Sequence, residues 1–139
     1  MARIAVILAA AGKSGRFQDR HYKKPFVPLA DRAVWLHSAE KFINRDDVQQ
    51  LVVVISADDR EAFMSKFGAN VAILGIDVVE GGATRAESVR NGLQAVREDM
   101  DFVIVHDADR PCVATVWIDE LVTTVEKTGA VAMGIPVVS

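Results

Sequence analysis

One cysteine, Cys112, is all that the 139 residues contain, so no disulfide can form within the chain and a cytoplasmic setting is expected. Long apolar runs are missing too. None approaches the roughly 20 residues of a membrane span, and no membrane partner is expected. The N-terminus lacks the cleavage region of a secretory signal, since Met1-Ala-Arg-Ile-Ala-Val-Ile-Leu8 leads straight into a glycine loop. Internal repeats, low-complexity tracts and linkers are absent. Excess positive charge is absent as well: a net of −3 argues against a nucleic-acid partner. What remains has the composition of a globular protein, half hydrophobic and a quarter charged, long enough for one domain over residues 1–139.

The charge is unevenly spread. Residues 1–24 hold six basic side chains (Arg3, Lys13, Arg16, Arg20, Lys23, Lys24) and one acid, Asp19, a net of +5. The rest carries ten basic and eighteen acidic residues, a net of −8. A local positive field on an acidic protein suits a small polyanion such as a triphosphate, although a solvated basic loop would look similar.

Short apolar runs alternate with amphipathic stretches. Ile4–Ala9, Leu51–Ile55, Phe102–Val105 and Val131–Ile135 are rich in β-branched residues and read as buried parallel strands. Val71–Leu74 with Ile76–Val79 is expected to add a strand near an edge. Helices are expected at Val34 to Ile43, with Trp35 and Phe42 in the core, and after the capping-box pairs Asp58/Glu61 and Thr84/Glu87. Beyond Thr84, Ala86, Val89, Leu93 and Val96 would form the buried face, and in the last helix Ile118, Leu121, Val122 and Val125 would do so, ended by Gly129. Alternating strands and helices imply an α/β fold, a Rossmann-like three-layer open sheet, mostly parallel, with helices on both faces. Ligands of such sheets bind outside the carboxyl ends of the strands. Ile135-Pro-Val-Val-Ser139 reads as a strand leaving the sheet, so a truncated fold is expected.

Three segments carry chemistry. Leu8-Ala-Ala-Ala-Gly-Lys-Ser-Gly-Arg16 follows the first strand: its small residues let backbone approach a ligand, and successive N–H groups can cradle phosphate oxygens. Arg16 adds a forked donor, and Lys23 and Lys24 add point charges. The spacing is neither that of a Walker loop nor that of the dinucleotide fingerprint. Gly81-Gly-Ala-Thr-Arg-Ala-Glu-Ser88 places a double glycine before a capped helix, where free N–H groups at a positive helix end are expected, with the Ser88 hydroxyl in reach; a plain helix-start turn is the competing reading. Val105-His-Asp-Ala-Asp-Arg-Pro111 ends a strand with carboxylates suited to Mg²⁺, Asp107 first and Asp109 second, with Arg110 as a salt-bridge partner for either. His106 reads as a packed residue, and His21 and His37 as surface residues with no zinc-type partner nearby.

These segments, in this order, resemble the 2-C-methyl-D-erythritol 4-phosphate cytidylyltransferase family. The matching residues are Ala10 to Arg16, Lys24-Pro-Phe26, Gly81 to Val89 and His106 to Pro111. The resemblance implies that Ala10, Ala11, Gly12, Lys13 and Ser14 line a CTP site, and that Arg16 and Lys24 are catalytic, stabilising charge on the α-phosphate. It further implies that Gly82 and Ser88 hold base and ribose and that Asp107 binds Mg²⁺. The implied reaction is attack by a polyol phosphate, 2-C-methyl-D-erythritol 4-phosphate, on CTP, with pyrophosphate leaving. A pentitol phosphate acceptor and a non-catalytic nucleotide-binding fragment are the alternatives. Ala83 stands where the family often has Asp, and Asp109 where it has a small residue. One extra residue after Arg16 leaves Lys23 and Lys24 interchangeable. The chain corresponds to about the first 60% of a family member, without the arm that builds the family's homodimer.

Overall fold

Branched apolar side chains crowd both faces of an extended backbone, and here they bury the two central strands of a sheet from both sides, whereas Val103 and Val105 on a flanking strand are exposed. The computed structural model describes residues 2–11, 28–29, 32–108 and 115–129. Its elements are β1 (Ile4–Ala9), β2 (Pro28–Leu29), β3 (Arg32–Ala33), α1 (Val34–Ile43), β4 (Val48–Ile55), α2 (Arg60–Leu74), β5 (Asp77–Glu80), α3 (Arg85–Ala95), β6 (Phe102–Asp107) and α4 (Thr115–Thr128). The short strands β2 and β3 pair antiparallel with each other, while the main sheet runs β5-β4-β1-β6 with every neighbouring pair parallel.

The path of the chain decides where the helices go. From β1 it steps outward through α1 to β4 and through α2 to β5. It then crosses back through α3 to β6, on the far side of β1. Right-handed crossovers made in opposite directions put their helices on opposite faces, and the core divides accordingly. Ile4, Val6 and Leu8 of β1 pack with residues of α1, α2 and α4, among them Trp35, Phe42, Phe63 and Ile118. Ile7 of the same strand lies with Val52 and Val54 on the face that carries Ala95 of α3. The α/β sheet with helices on both faces is therefore observed. The order in which the chain adds strands reverses between β1 and β6, so a ligand site is expected at the carboxyl ends of that pair.

Several elements follow the periodicity of the sequence. Helix α1 spans Val34–Ile43 with Trp35 and Phe42 buried, and α4 buries Ile118 and Val122 before Gly129 closes it at φ +82°. Others correct it. Val71–Leu74 is not strand but the last turn of α2, where Phe63, Phe67 and Val71 form one buried row; the edge strand is Asp77–Glu80 alone. Gly75, at φ +67°, ends that helix in the left-handed conformation and lets the chain turn into the strand. The Asp58/Glu61 cap does not form. A single 3-10 turn, Ala57–Asp59, occupies the backbone it would need, and the Asp59 carboxylate accepts from the Ser56 hydroxyl at 2.8 Å.

The buried face of α3 differs as well. Ser88 and Gly92 face the sheet, while Leu93 is 46% exposed. The sheet surface there is already filled by Ile7 and Val54: a Cβ on Gly92 would lie 3.0 Å from one methyl of Ile7 and 3.1 Å from one of Val54. Only the small-residue side of the helix can approach that closely. The strand expected at Val131–Ile135 lies outside the described residues.

Candidate site at the carboxyl ends of the strands

Parallel pairing brings the strand ends level. Ala9 of β1 is in register with Val54 of β4 on one side and Asp107 of β6 on the other. The chain leaving β1 is held at once, since the Ala10 N–H donates to the Val54 carbonyl at 2.9 Å. Ala10 is thereby buried and Ala11 half-buried, so these two expected site residues sit at the mouth of the sheet. Gly12, Lys13, Ser14, Arg16, Lys23 and Lys24 lie outside the described residues, as do His21, Asp109 and Arg110.

The double-glycine segment arrives beside Ala11. A Cβ on Gly81 would stand 2.6 Å from the Ala11 Cβ and 2.7 Å from Ser88 Oγ, so glycine is what allows the first two sequence motifs to touch. The amides of this turn are not free, contrary to the expectation. Gly81 donates to the Ile55 carbonyl at 2.8 Å, Gly82 to Ser88 Oγ at 3.1 Å and Ala83 to the Glu87 carboxylate at 2.8 Å. The expected Thr84 cap is present, with Glu87 N–H donating to Thr84 Oγ1 at 3.1 Å. Ser88 is 3% exposed, and its hydroxyl oxygen holds the turn from within rather than standing open to solvent. A short side chain on the first turn of a helix has both options, and the nearest orphan amide took it.

Asp107 is the last residue of β6, with its side chain 31% exposed at the sheet's carboxyl end. Its described partner is Arg85, whose guanidinium donates to Asp107 Oδ1. This joins the second motif to the third across the end of β1. Arg110, the partner expected from the sequence, lies outside the described residues, and Arg85 carries no such expectation. The available signal was positional: Arg85 begins α3, at the same end of the sheet as Asp107. His106 packs as expected, its ring centroid 5.3 Å from that of Phe42. His37 is half-buried on α1 rather than at the surface.

Among the described residues no group of three His, Cys, Asp or Glu side chains converges. An all-protein metal cage is therefore not what these residues form. A single half-open carboxylate fits Mg²⁺ instead, because that ion is commonly held by one or two carboxylates together with substrate phosphates. Beside it lies the carboxyl end of β1, after which the sequence carries Lys13, Arg16, Arg20, Lys23 and Lys24. Positive charge of that kind suits an anionic nucleotide and the charge that builds during phosphoryl transfer.

A family model described as 2-C-methyl-D-erythritol 4-phosphate cytidylyltransferase matches residues 4–139. The chain is similar to the protein of that name from Rhodopirellula baltica, 33% identical over 147 residues that take in 98% of this chain and 60% of that one. To the protein of the same name from Haemophilus influenzae it is 37% identical over 138 residues, covering 99% of this chain and 58% of the other. A solved structure, 4-diphosphocytidyl-2C-methyl-D-erythritol synthase from Anaerococcus prevotii, matches with a TM-score of 0.70 over 91% of this chain and 52% of that one. At 22% identity it bears on the fold alone. The chain thus spans about three-fifths of the length of the curated relatives it matches.

Proposed function

The chain belongs to the 2-C-methyl-D-erythritol 4-phosphate cytidylyltransferase family, and from that premise we propose that it forms the CTP-binding part of an enzyme that transfers CMP to 2-C-methyl-D-erythritol 4-phosphate, releasing pyrophosphate. One observation carries the proposal. Ala11, Gly81 and Ser88 meet beside Val54 at the carboxyl ends of β1 and β4, and Arg85 of the same helix as Ser88 reaches Asp107 at the end of β6. Described residues of three motifs separated in sequence thus lie at one end of the sheet.

In this reading the backbone of Ala10, Ala11, Gly12, Lys13 and Ser14 lines the nucleotide, the exposed Gly82 meets its base and ribose, and Ser88 serves from within by accepting from the Gly82 amide. Asp107 would hold Mg²⁺, which supplies charge neutralisation on the triphosphate when bound. Arg16 and Lys24 act on the α-phosphate as the acceptor oxygen attacks and pyrophosphate departs. No covalent enzyme intermediate is required; the chain's task is to position the nucleotide and stabilise developing charge. A homodimer at full length and a cytoplasmic location belong to the same proposal.

The test is thermal. With Mg²⁺ present, CTP is expected to raise the melting temperature more than ATP, GTP or UTP, since a ligand at a hundred times its Kd adds about 2.7 kcal/mol to stability. Equal shifts with all four nucleotides, or none with any, would refute the assignment of the base.

A further inference from the structure

Ser38 has no part in the chemistry described so far. It lies on α1, fully buried, on the helix face that carries Trp35, Leu36, Ala39 and Phe42 into the core. A hydroxyl in such surroundings is costly without a partner. Its partner is 70 residues away: Ser38 Oγ donates to the carbonyl of Ala108 at 2.8 Å.

Ala108 is the residue after Asp107, just past the end of the β1–β6 ladder. Its N–H is held by the Ala9 carbonyl at 3.0 Å, so both polar groups of this residue are fixed, one by the sheet and one by α1. One turn along the same helix, Phe42 meets the ring of His106 at an interplanar angle of 60°. Helix α1 therefore grips the residue on each side of Asp107, through Ser38 and through Phe42. Packing alone would accept alanine at position 38. The hydroxyl is needed by the carbonyl, and the carbonyl belongs to the turn that carries the carboxylate.

We propose that Ser38 is a positioning residue: by holding the Ala108 carbonyl it fixes the direction from which the Asp107 carboxylate meets a divalent cation bound to the nucleotide triphosphate. This rests on the reading of Asp107 given above. The tolerance at such sites is small, about 0.5 Å, which is why the groups behind a ligating side chain matter.

The experiment is calorimetric binding of CTP by this chain at increasing Mg²⁺ concentration. Ser38→Ala is expected to raise the Mg²⁺ concentration at half-effect roughly tenfold, the lower end of the loss seen when a group orienting a metal ligand is removed. Ser38→Thr, which restores the hydroxyl, is expected to recover most of that loss. Ser38→Cys keeps the size with a weaker donor; it should fall between, and serves if the alanine chain does not fold. Ala39→Gly, buried on the same helix, is the stability control, expected to lower the melting temperature with an unchanged Mg²⁺ dependence. A Ser38→Ala chain with wild-type Mg²⁺ dependence, beside an Asp107→Ala chain that has lost it, overturns the role of Ser38 and leaves that of Asp107 standing. An Asp107→Ala chain with unaltered Mg²⁺ dependence overturns both.

Discussion

Gly81→Ala should damage the chain far more than the addition of one methyl group suggests. The new Cβ would lie 2.6 Å from Ala11 Cβ, 2.7 Å from Ser88 Oγ and 3.3 Å from Val54 Cγ1. None of these neighbours can yield cheaply. The Ala11 Cβ is fixed to the backbone leaving β1, Ser88 is buried on α3, and Val54 lies fully buried in the centre of the sheet. Overpacking of this kind costs about 1–3 kcal/mol. Pushing Ser88 aside also breaks the bond it accepts from the Gly82 amide, a further loss of about 1 kcal/mol. The expected total is about 2–4 kcal/mol, a large share of the roughly 5–15 kcal/mol of a small domain. Urea unfolding followed by circular dichroism measures it through the midpoint and slope. Gly68→Ala is the internal comparison: within α2, with nothing inside 4 Å of the added Cβ, it should stabilise by about 0.5–1 kcal/mol. If Gly81→Ala unfolds at the wild-type midpoint, the close approach of loop and turn is not real, and the convergence on which the proposed function rests goes with it.

Other perturbations probe the amino end of the sheet, at Gln50, and its carboxyl end. Gln50 is buried, donating to the Asp77 carboxylate and the Ala95 carbonyl, each at 2.8 Å, and accepting from the Arg97 N–H at 2.9 Å. Gln50→Leu should therefore cost about 2–3 kcal/mol in urea unfolding, and a loss near zero would show that the α3 end is held by packing alone. Arg85 is different, because its side chain is 61% exposed. Arg85→Ala should cost less than about 1 kcal/mol of stability, yet lower the Mg²⁺ concentration needed for CTP binding, since the guanidinium occupies Asp107 Oδ1. An unchanged or higher Mg²⁺ requirement would mean that the two cations do not compete. In an enzyme of family length, Arg16→Ala and Lys24→Ala should each slow the chemical step by roughly a hundredfold or more, and wild-type turnover in either would remove that residue from the transition state.

What could be read from the sequence was whatever depends on neighbours along the chain. A run such as Ile4–Ala9 states its own period, so strand and burial follow. The Thr84 cap follows for the same reason, its partner being three residues away. The face of α3 could not be read this way: Ser88 and Gly92 are polar and small, and only the crowded surface made by Ile7 and Val54 turns that side inward. The expectation of free amides at Gly81 to Ala83 failed similarly, because Ile55, Ser88 and Glu87 satisfy them from three different places. Arg85 and Ser38 were missed because their partners, Asp107 and Ala108, come close only when β6 docks beyond β1. Each lies at a junction between crossovers of opposite direction, and no local pattern records such a junction. Residues that would touch a ligand are therefore announced by motif, whereas those that aim them are announced only by the fold. Ser38 is the sharper example, since a serine in mid-helix carries no signal until the carbonyl it serves is known.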